Sequence, residues 1–217
     1  MTKIKAVIFD MDGVLLDSEP LHDRVLDMVL GKFGYGTTSE FRYKYVGASS
    51  MDLWEGAKEI WDIDATVEEL IDIQWKTICE ELPKSGIGAS KGLYTLLDYL
   101  KANNIKIAIA SSSRGDFVNA VIDHLKIRDY IDSITQGFEV ENGKPAPDIY
   151  LLAAQKLGVL PSESAAVEDS TNGTKSAKTA GMLTIGYDNP TSQGQFLDAA
   201  DVIVKCLDEA IEIIEKA

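Results

Sequence analysis

Apolar and polar positions follow two different rhythms along this chain. From about residue 90 onward, short apolar runs of strand length alternate with helical patterns. Residues 105–110, 131–135, 165–167, 182–185 and 202–204 read as strands. Between them, Leu93, Leu96, Leu97 and Leu100 recur at i, i+3, i+4 and i+7, the spacing of a helix with one buried face. Ser113-Arg114-Gly115-Asp116 opens a second helix, with Phe117, Val121 and Leu125 on one side. Pro147 opens a third, which carries Leu151, Leu152 and Leu157. One further strand stands alone near the start, Ile4-Lys5-Ala6-Val7-Ile8-Phe9, and ends in an acidic turn. Strands alternating with helices predict an α/β fold with a doubly wound parallel sheet and right-handed crossovers.

Residues 17–88 break this alternation. Leu21, Val25, Val29 and Phe33 form one helical stripe, and Leu53, Trp54, Ala57, Ile60 and Trp61 form another. Thr66-Val67-Glu68-Glu69 reads as a capping box leading into Leu70, Ile78 and Leu82. The three tryptophans Trp54, Trp61 and Trp75 sit at helical spacing, which favours core packing over a ligand platform. An all-helical domain over residues 17–88 is therefore expected, inserted into a core made of residues 1–16 and 89–217. Because the insertion begins just after the acidic turn, it is expected to hang over it.

With 217 residues, 45% of them hydrophobic, the chain can build one sizeable core and a smaller module. No apolar run approaches the roughly 20 residues of a membrane span, and the first apolar run is short and ends at Asp10. Cys79 and Cys206 lie far apart and match neither a metal spacing nor a disulfide framework. A cytoplasmic, monomeric protein with two reduced structural thiols is the expectation, with no membrane partner. The net charge of −14 argues against nucleic acid, whose backbone would be repelled. It also means that an anionic substrate needs local cations, supplied by a metal, Lys144, Arg114 and helix N-termini.

The acidic turn carries the chemistry. In Phe9-Asp10-Met11-Asp12-Gly13, two carboxylates stand two residues apart at the end of a strand, with a glycine that lets the backbone turn. Ligands of parallel α/β sheets bind at the carboxyl ends of strands. Paired carboxylates there repel each other unless a cation intervenes, and hard divalent cations prefer oxygen ligands. One aspartate can then act as a nucleophile while the other handles protons.

This turn, followed in order by Ile107-Ala108-Ile109-Ala110-Ser111-Ser112-Ser113, Gly143-Lys144-Pro145-Ala146-Pro147-Asp148 and Ala166-Val167-Glu168-Asp169-Ser170, resembles the motifs of the haloacid dehalogenase superfamily, mostly phosphatases and phosphomutases. The resemblance covers nearly the whole chain. It implies a Rossmann-like core and a mobile helical cap that closes over substrate, with hinges near residues 15–19 and 83–92. Gly86, Gly88 and Gly92 suit the second hinge. Asp10 becomes the candidate nucleophile, forming an aspartyl phosphate, and Asp12 the general acid and then base, its carbonyl facing the metal. Ser111, with the backbone N–H groups of Ser112 and Ser113, is placed to bind phosphate oxygens, and Ser113 to cap the following helix. Arg114 serves either substrate or solvent. Lys144, held in a proline-stiffened loop, neutralises charge between Asp10 and the phosphoryl group. Asp169 is the expected direct ligand of Mg2+, with Asp10 and the carbonyl of Asp12; Glu168 binds directly or through water.

The segment Asp17-Ser18-Glu19-Pro20-Leu21-His22 resembles the sugar-phosphate branch, which includes β-phosphoglucomutase and sugar phosphatases. His22 either approaches the site or lies on a helix face. In the stretch resembling that mutase's specificity loop, Tyr45 to Asp52 with Gly47 as a substrate contact, valine and serines replace a lysine and an arginine. A bisphosphate intermediate would be held poorly, so the expected reaction is hydrolysis of a small phosphorylated metabolite, a sugar phosphate. A β-phosphoglucomutase-type phosphomutase is the alternative, with Lys76 as its cap cation. A haloalkanoate dehalogenase has no need of Asp12 or the Glu168-Asp169 pair. A phosphonatase would need a cap lysine that the sequence does not identify. A response-regulator receiver would carry its acidic pair first and its phosphorylated aspartate on a later strand.

Overall fold

The computed structural model describes residues 3–45, 49–191 and 194–217. They divide into two compact units, Met1–Asp17 with Ile87–Ala217, and Ser18–Gly86. Among the described residues of the first unit, six strands form one parallel sheet: β1 (Ala6–Phe9), β2 (Lys106–Ser111), β3 (Ser133–Gln136), β4 (Ser164–Glu168), β5 (Leu183–Tyr187) and β6 (Val202–Val204). Their order is β3-β2-β1-β4-β5-β6, so β1 lies between β2 and β4, with Phe9 opposite Ile109 and Val167. Covered on both faces, β1 is buried throughout, which is why its sequence is continuously apolar rather than alternating. The order in which strands are added reverses between β1 and β4, the switch point at which open α/β sheets bind ligands. The fold class is the one the alternation of strands and helices predicts.

The second unit is helical: α1 (Glu19–Lys32), α2 (Ser39–Lys44), α3 (Ser50–Ile60) and α4 (Val67–Glu81). The capping box forms, with the Glu69 N–H donating to Thr66 Oγ1 at 3.1 Å and the Thr66 N–H donating to Glu69 Oε2 at 2.8 Å. Trp54 is fully buried, and its Nε1 donates to Gln74 Oε1 at 2.7 Å. Trp75 is buried as well, and Trp61 is half-buried, edge-on to Phe41. The second predicted stripe needs correcting at its end: Ile60 is exposed, because the buried face of α3 runs through Trp54, Gly56 and Ala57 and the helix stops before its next turn.

In the first unit the sheet is accompanied by α5 (Leu93–Ala102), α6 (Gly115–His124), α7 (Asp148–Leu157), α8 (Thr171–Thr179) and α9 (Ala210–Lys216). All four leucines of the α5 stripe are buried. On α7 the expected face is displaced. Leu151 is exposed and Leu152 half-buried, whereas Ile149, Tyr150, Ala153, Ala154 and Leu157 are buried. The alanines decide this: their small side chains let α7 lie close against Ala6, Ile8, Ala108 and Ala110 of the sheet. One helix start differs from expectation. Arg114, not Ser113, occupies the N-cap position of α6. The helix α8 begins at Thr171 and is capped by Ser170, whose Oγ accepts from the Gly173 N–H. Gly92, assigned above to a hinge, has φ +82°, and a Cβ there would lie 2.6 Å from the Asp208 backbone nitrogen. Its need for glycine arises inside the first unit.

Candidate active site

The carboxyl ends of β2, β1 and β4 bring the predicted residues together. Asp10 follows β1, and its N–H donates to the Val167 carbonyl at 3.0 Å, which extends the β1–β4 pairing by one residue. Lys144 reaches the same point from the loop before α7. Its Nζ donates to Asp10 Oδ1 at 2.5 Å, Glu168 Oε1 at 2.5 Å and the Ala110 carbonyl at 3.2 Å. That loop contains a cis Lys144–Pro145 peptide and is tied down by Ser176 Oγ donating to the Ala146 carbonyl at 2.6 Å. At the end of β2, Ser111 is buried and its Oγ accepts from the Ser113 N–H at 3.0 Å. Ser113 does not cap α6; its hydroxyl instead donates to Asp12 Oδ2 at 2.6 Å, linking the β2 turn to the acidic turn.

Asp10, Glu168 and Asp169 each offer a carboxylate oxygen, all within 4.8 Å of one another. If all three were ionised, the single positive charge of Lys144 would not balance them in this nearly buried cluster. Burial raises the Asp10 carboxyl well above the usual range; Lys144 opposes this, and Glu168, Asp169 and Asp12 add to it. Burial draws the Lys144 ammonium downward, but Asp10 and Glu168 outweigh that and hold it firmly protonated. Closely spaced, buried oxygen donors with uncompensated negative charge fit a hard divalent cation.

The sign of the Asp10 shift has a measurable consequence. A carboxyl that holds its proton more tightly folded than unfolded adds stability at low pH. That contribution is lost as pH rises from about 4 through the raised value. In EDTA, wild type is expected to lose melting temperature relative to Asp10→Asn over this interval, and a saturating divalent cation should narrow the gap. Parallel melting curves of the two proteins across acidic to neutral pH would refute this.

Two glycines shape the cluster. Gly13 has φ +79°, and a Cβ there would collide with the Asp169 carboxylate. Gly173, in the first turn of α8, has no unusual φ, yet a Cβ there would collide with the Glu168 carboxylate. Glycine in a helix costs about 1 kcal/mol relative to alanine, so such a position marks a need for space. In the sequence Gly13 reads only as a turn former, and Gly173 stands out only as a glycine early in an otherwise ordinary helix. Tyr150 carries a comparable signal, a hydroxyl at a core position that calls for a polar partner.

Ser112 is exposed, and Arg114 is exposed with its Nε 3.2 Å from Asp116 Oδ2. His22 belongs to the helical unit, where its ring stands edge-on to Trp75 with centroids 6.1 Å apart. Gly47, with Val46 and Ala48, lies outside the described residues.

Known proteins resemble the chain over most of its length. Residues 7–187 match the family model described as haloacid dehalogenase-like hydrolase. The chain is 30% identical over 218 residues to the phosphorylated carbohydrates phosphatase of Thermotoga maritima, across 98% of this chain and 99% of that one. It is 31% identical to the β-phosphoglucomutase of Bacillus subtilis, across 93% of this chain and 89% of that one. The crystal structure of β-phosphoglucomutase from Clostridium difficile superposes with a TM-score of 0.79 at 26% identity, covering 98% of this chain and 96% of that one.

Proposed function

The chain belongs to the haloacid dehalogenase-like hydrolase family and is a hydrolase; from that premise we propose a Mg2+-dependent phosphomonoesterase acting on a small phosphorylated metabolite, a sugar phosphate, through an aspartyl phosphate. The observation that carries this reading is Lys144 bridging Asp10 and Glu168 at 2.5 Å each, with Asp12 tethered to Ser113 beside them. Residues 1–16 and 89–217 form the catalytic core, and the helical insertion of residues 17–88 is its cap.

In the first step an Asp10 carboxylate oxygen attacks phosphorus and the bond to the leaving oxygen breaks. Asp12, entering protonated, gives its proton to that oxygen as the alcohol departs. In the second step Asp12 takes a proton from water, the water oxygen attacks phosphorus, and the bond to Asp10 breaks to release inorganic phosphate. Lys144 holds positive charge against the Asp10 oxygen throughout, which favours the crowding of negative charge during transfer. Ser111 and the Ser112 N–H orient the phosphoryl oxygens, while Ser113 holds the turn through its N–H on Ser111 Oγ and its hydroxyl on Asp12. Arg114, His22 and Gly47 select the leaving group. Asp10, Asp169 and the Asp12 carbonyl would hold the Mg2+, which when bound supplies charge neutralisation for the transferring group. Glu168 serves Lys144 instead of the ion, because both of its oxygens already accept from protein donors.

The phosphomutase reading is supported by the likeness to β-phosphoglucomutase over most of both chains. Against it stand the net charge of −14, which repels a released bisphosphate, and the uncharged segment 46–50 of the cap. Incubated with β-glucose 1-phosphate and glucose 1,6-bisphosphate, the protein is expected to release inorganic phosphate faster than it forms glucose 6-phosphate. Measuring both products in one time course decides the matter; the reverse ratio establishes the mutase, with Lys76 as the first cation to test.

A further inference from the structure

Tyr150 is fully buried on the sheet-facing side of α7, among small residues of the core. Its hydroxyl extends beyond them and donates to Glu168 Oε1 at 2.7 Å. Its ring lies under the Lys144 ammonium, with Nζ 5.2 Å from the centroid. The other oxygen of Glu168 accepts from the Ser170 N–H at 3.3 Å and from Ser170 Oγ at 3.1 Å, and Gly173 leaves the space that the carboxylate fills. Glu168 is thus clamped from both sides, and the oxygen held by Tyr150, Oε1, is the one that receives Lys144.

We infer that Tyr150 is a positioning residue, whose hydroxyl fixes Glu168 and whose ring seats the ammonium, so that Lys144 is delivered to Asp10. Two distinct contacts from one side chain converge on the same ion pair. The hydrogen bond sets the direction of the Glu168 carboxylate. The ring face attracts the cation where solvent is excluded. A phenylalanine would fill the same space, so core packing does not account for the oxygen. This deepens the phosphatase reading and rests on it for the role of Lys144 toward Asp10.

Tyr150→Phe removes only the hydroxyl and keeps the ring. Its kcat on a phosphate monoester is expected to fall roughly three- to tenfold, the range of one buried hydrogen bond, with KM and the Mg2+ activation midpoint unchanged. A second readout needs no turnover. With isotope-labelled lysine, the buried Lys144 ammonium should give a slowly exchanging signal that Lys144→Met lacks, and in Tyr150→Phe its hydrogens should exchange markedly faster. Tyr150→Phe added to Glu168→Gln should do nothing further to kcat, since the hydroxyl acts through that carboxylate. Unchanged kcat and exchange in Tyr150→Phe, or full additivity with Glu168→Gln, overturns the assignment. If wild type proves inactive on phosphate monoesters, the phosphatase reading fails while the ammonium signal still decides the role of Tyr150.

Discussion

Asp10→Asn is expected to leave a folded protein without turnover. The amide cannot form an acyl phosphate, and removal of a nucleophile leaves only what binding and electrostatics contribute, so kcat should fall by roughly four to six orders of magnitude. The fold should survive because asparagine matches aspartate in shape and Lys144 keeps its contacts with Glu168 and the Ala110 carbonyl. Stability should even improve at neutral pH without metal, because a carboxylate disfavoured by burial has been removed. Steady-state kinetics with a thermal melt check both halves. More than about a tenth of wild-type activity in a verified sample would remove Asp10 from the nucleophile's position, since such losses in comparable enzymes are far larger.

Metal removal should have the next largest effect, and the two carboxylates after β4 should respond differently to mutation. Activity is expected to vanish in EDTA and return with Mg2+. Asp169→Ala should weaken Mg2+ affinity by about a hundredfold or more, beyond the 10- to 100-fold typical of groups behind the ligands. Glu168→Gln should change that affinity little and lower kcat, because Glu168 Oε1 receives Lys144 and Tyr150 while its Oε2 receives Ser170. Gly13→Ala should resemble Asp169→Ala, since the methyl group would displace that carboxylate and alanine disfavours a φ of +79°. Titration of Mg2+ into each variant, followed by calorimetry and by activity, separates affinity from turnover. Equal affinity in wild type and Asp169→Ala, or a large loss in Glu168→Gln, would exchange the two roles.

How much of the molecule was legible in the sequence differs from element to element. The central strand β1 could be read directly, because burial on both faces demands a continuous apolar run and Ala6-Val7-Ile8-Phe9 provides one. The α5 stripe and the Thr66–Glu69 capping box were equally readable, since spacing within a single turn decides them. The face of α7 was not. Leucines at 151 and 152 suggested one side, but close approach to the sheet requires small residues, so Ala153 and Ala154 turned the helix to the other. Ile60 failed for a related reason: a stripe says nothing of where the helix ends or what its last turn meets.

The candidate site divides along the same line. The sequence by itself determined which residues are candidates and that they stand at strand ends, because Asp10, Ser111 and Glu168 each terminate or follow an apolar run. Only the tertiary structure decided their pairing. Lys144 meets Asp10 across 134 positions, and Ser113 meets Asp12 across 101, distances over which local pattern carries no information. Tyr150 and Gly173 entered the site the same way, one through a hydroxyl that found Glu168 and the other through a missing methyl group that made room for it. Periodicity records how each element buries its own face; which carboxylate receives which cation is settled when β2, β1 and β4 come into register.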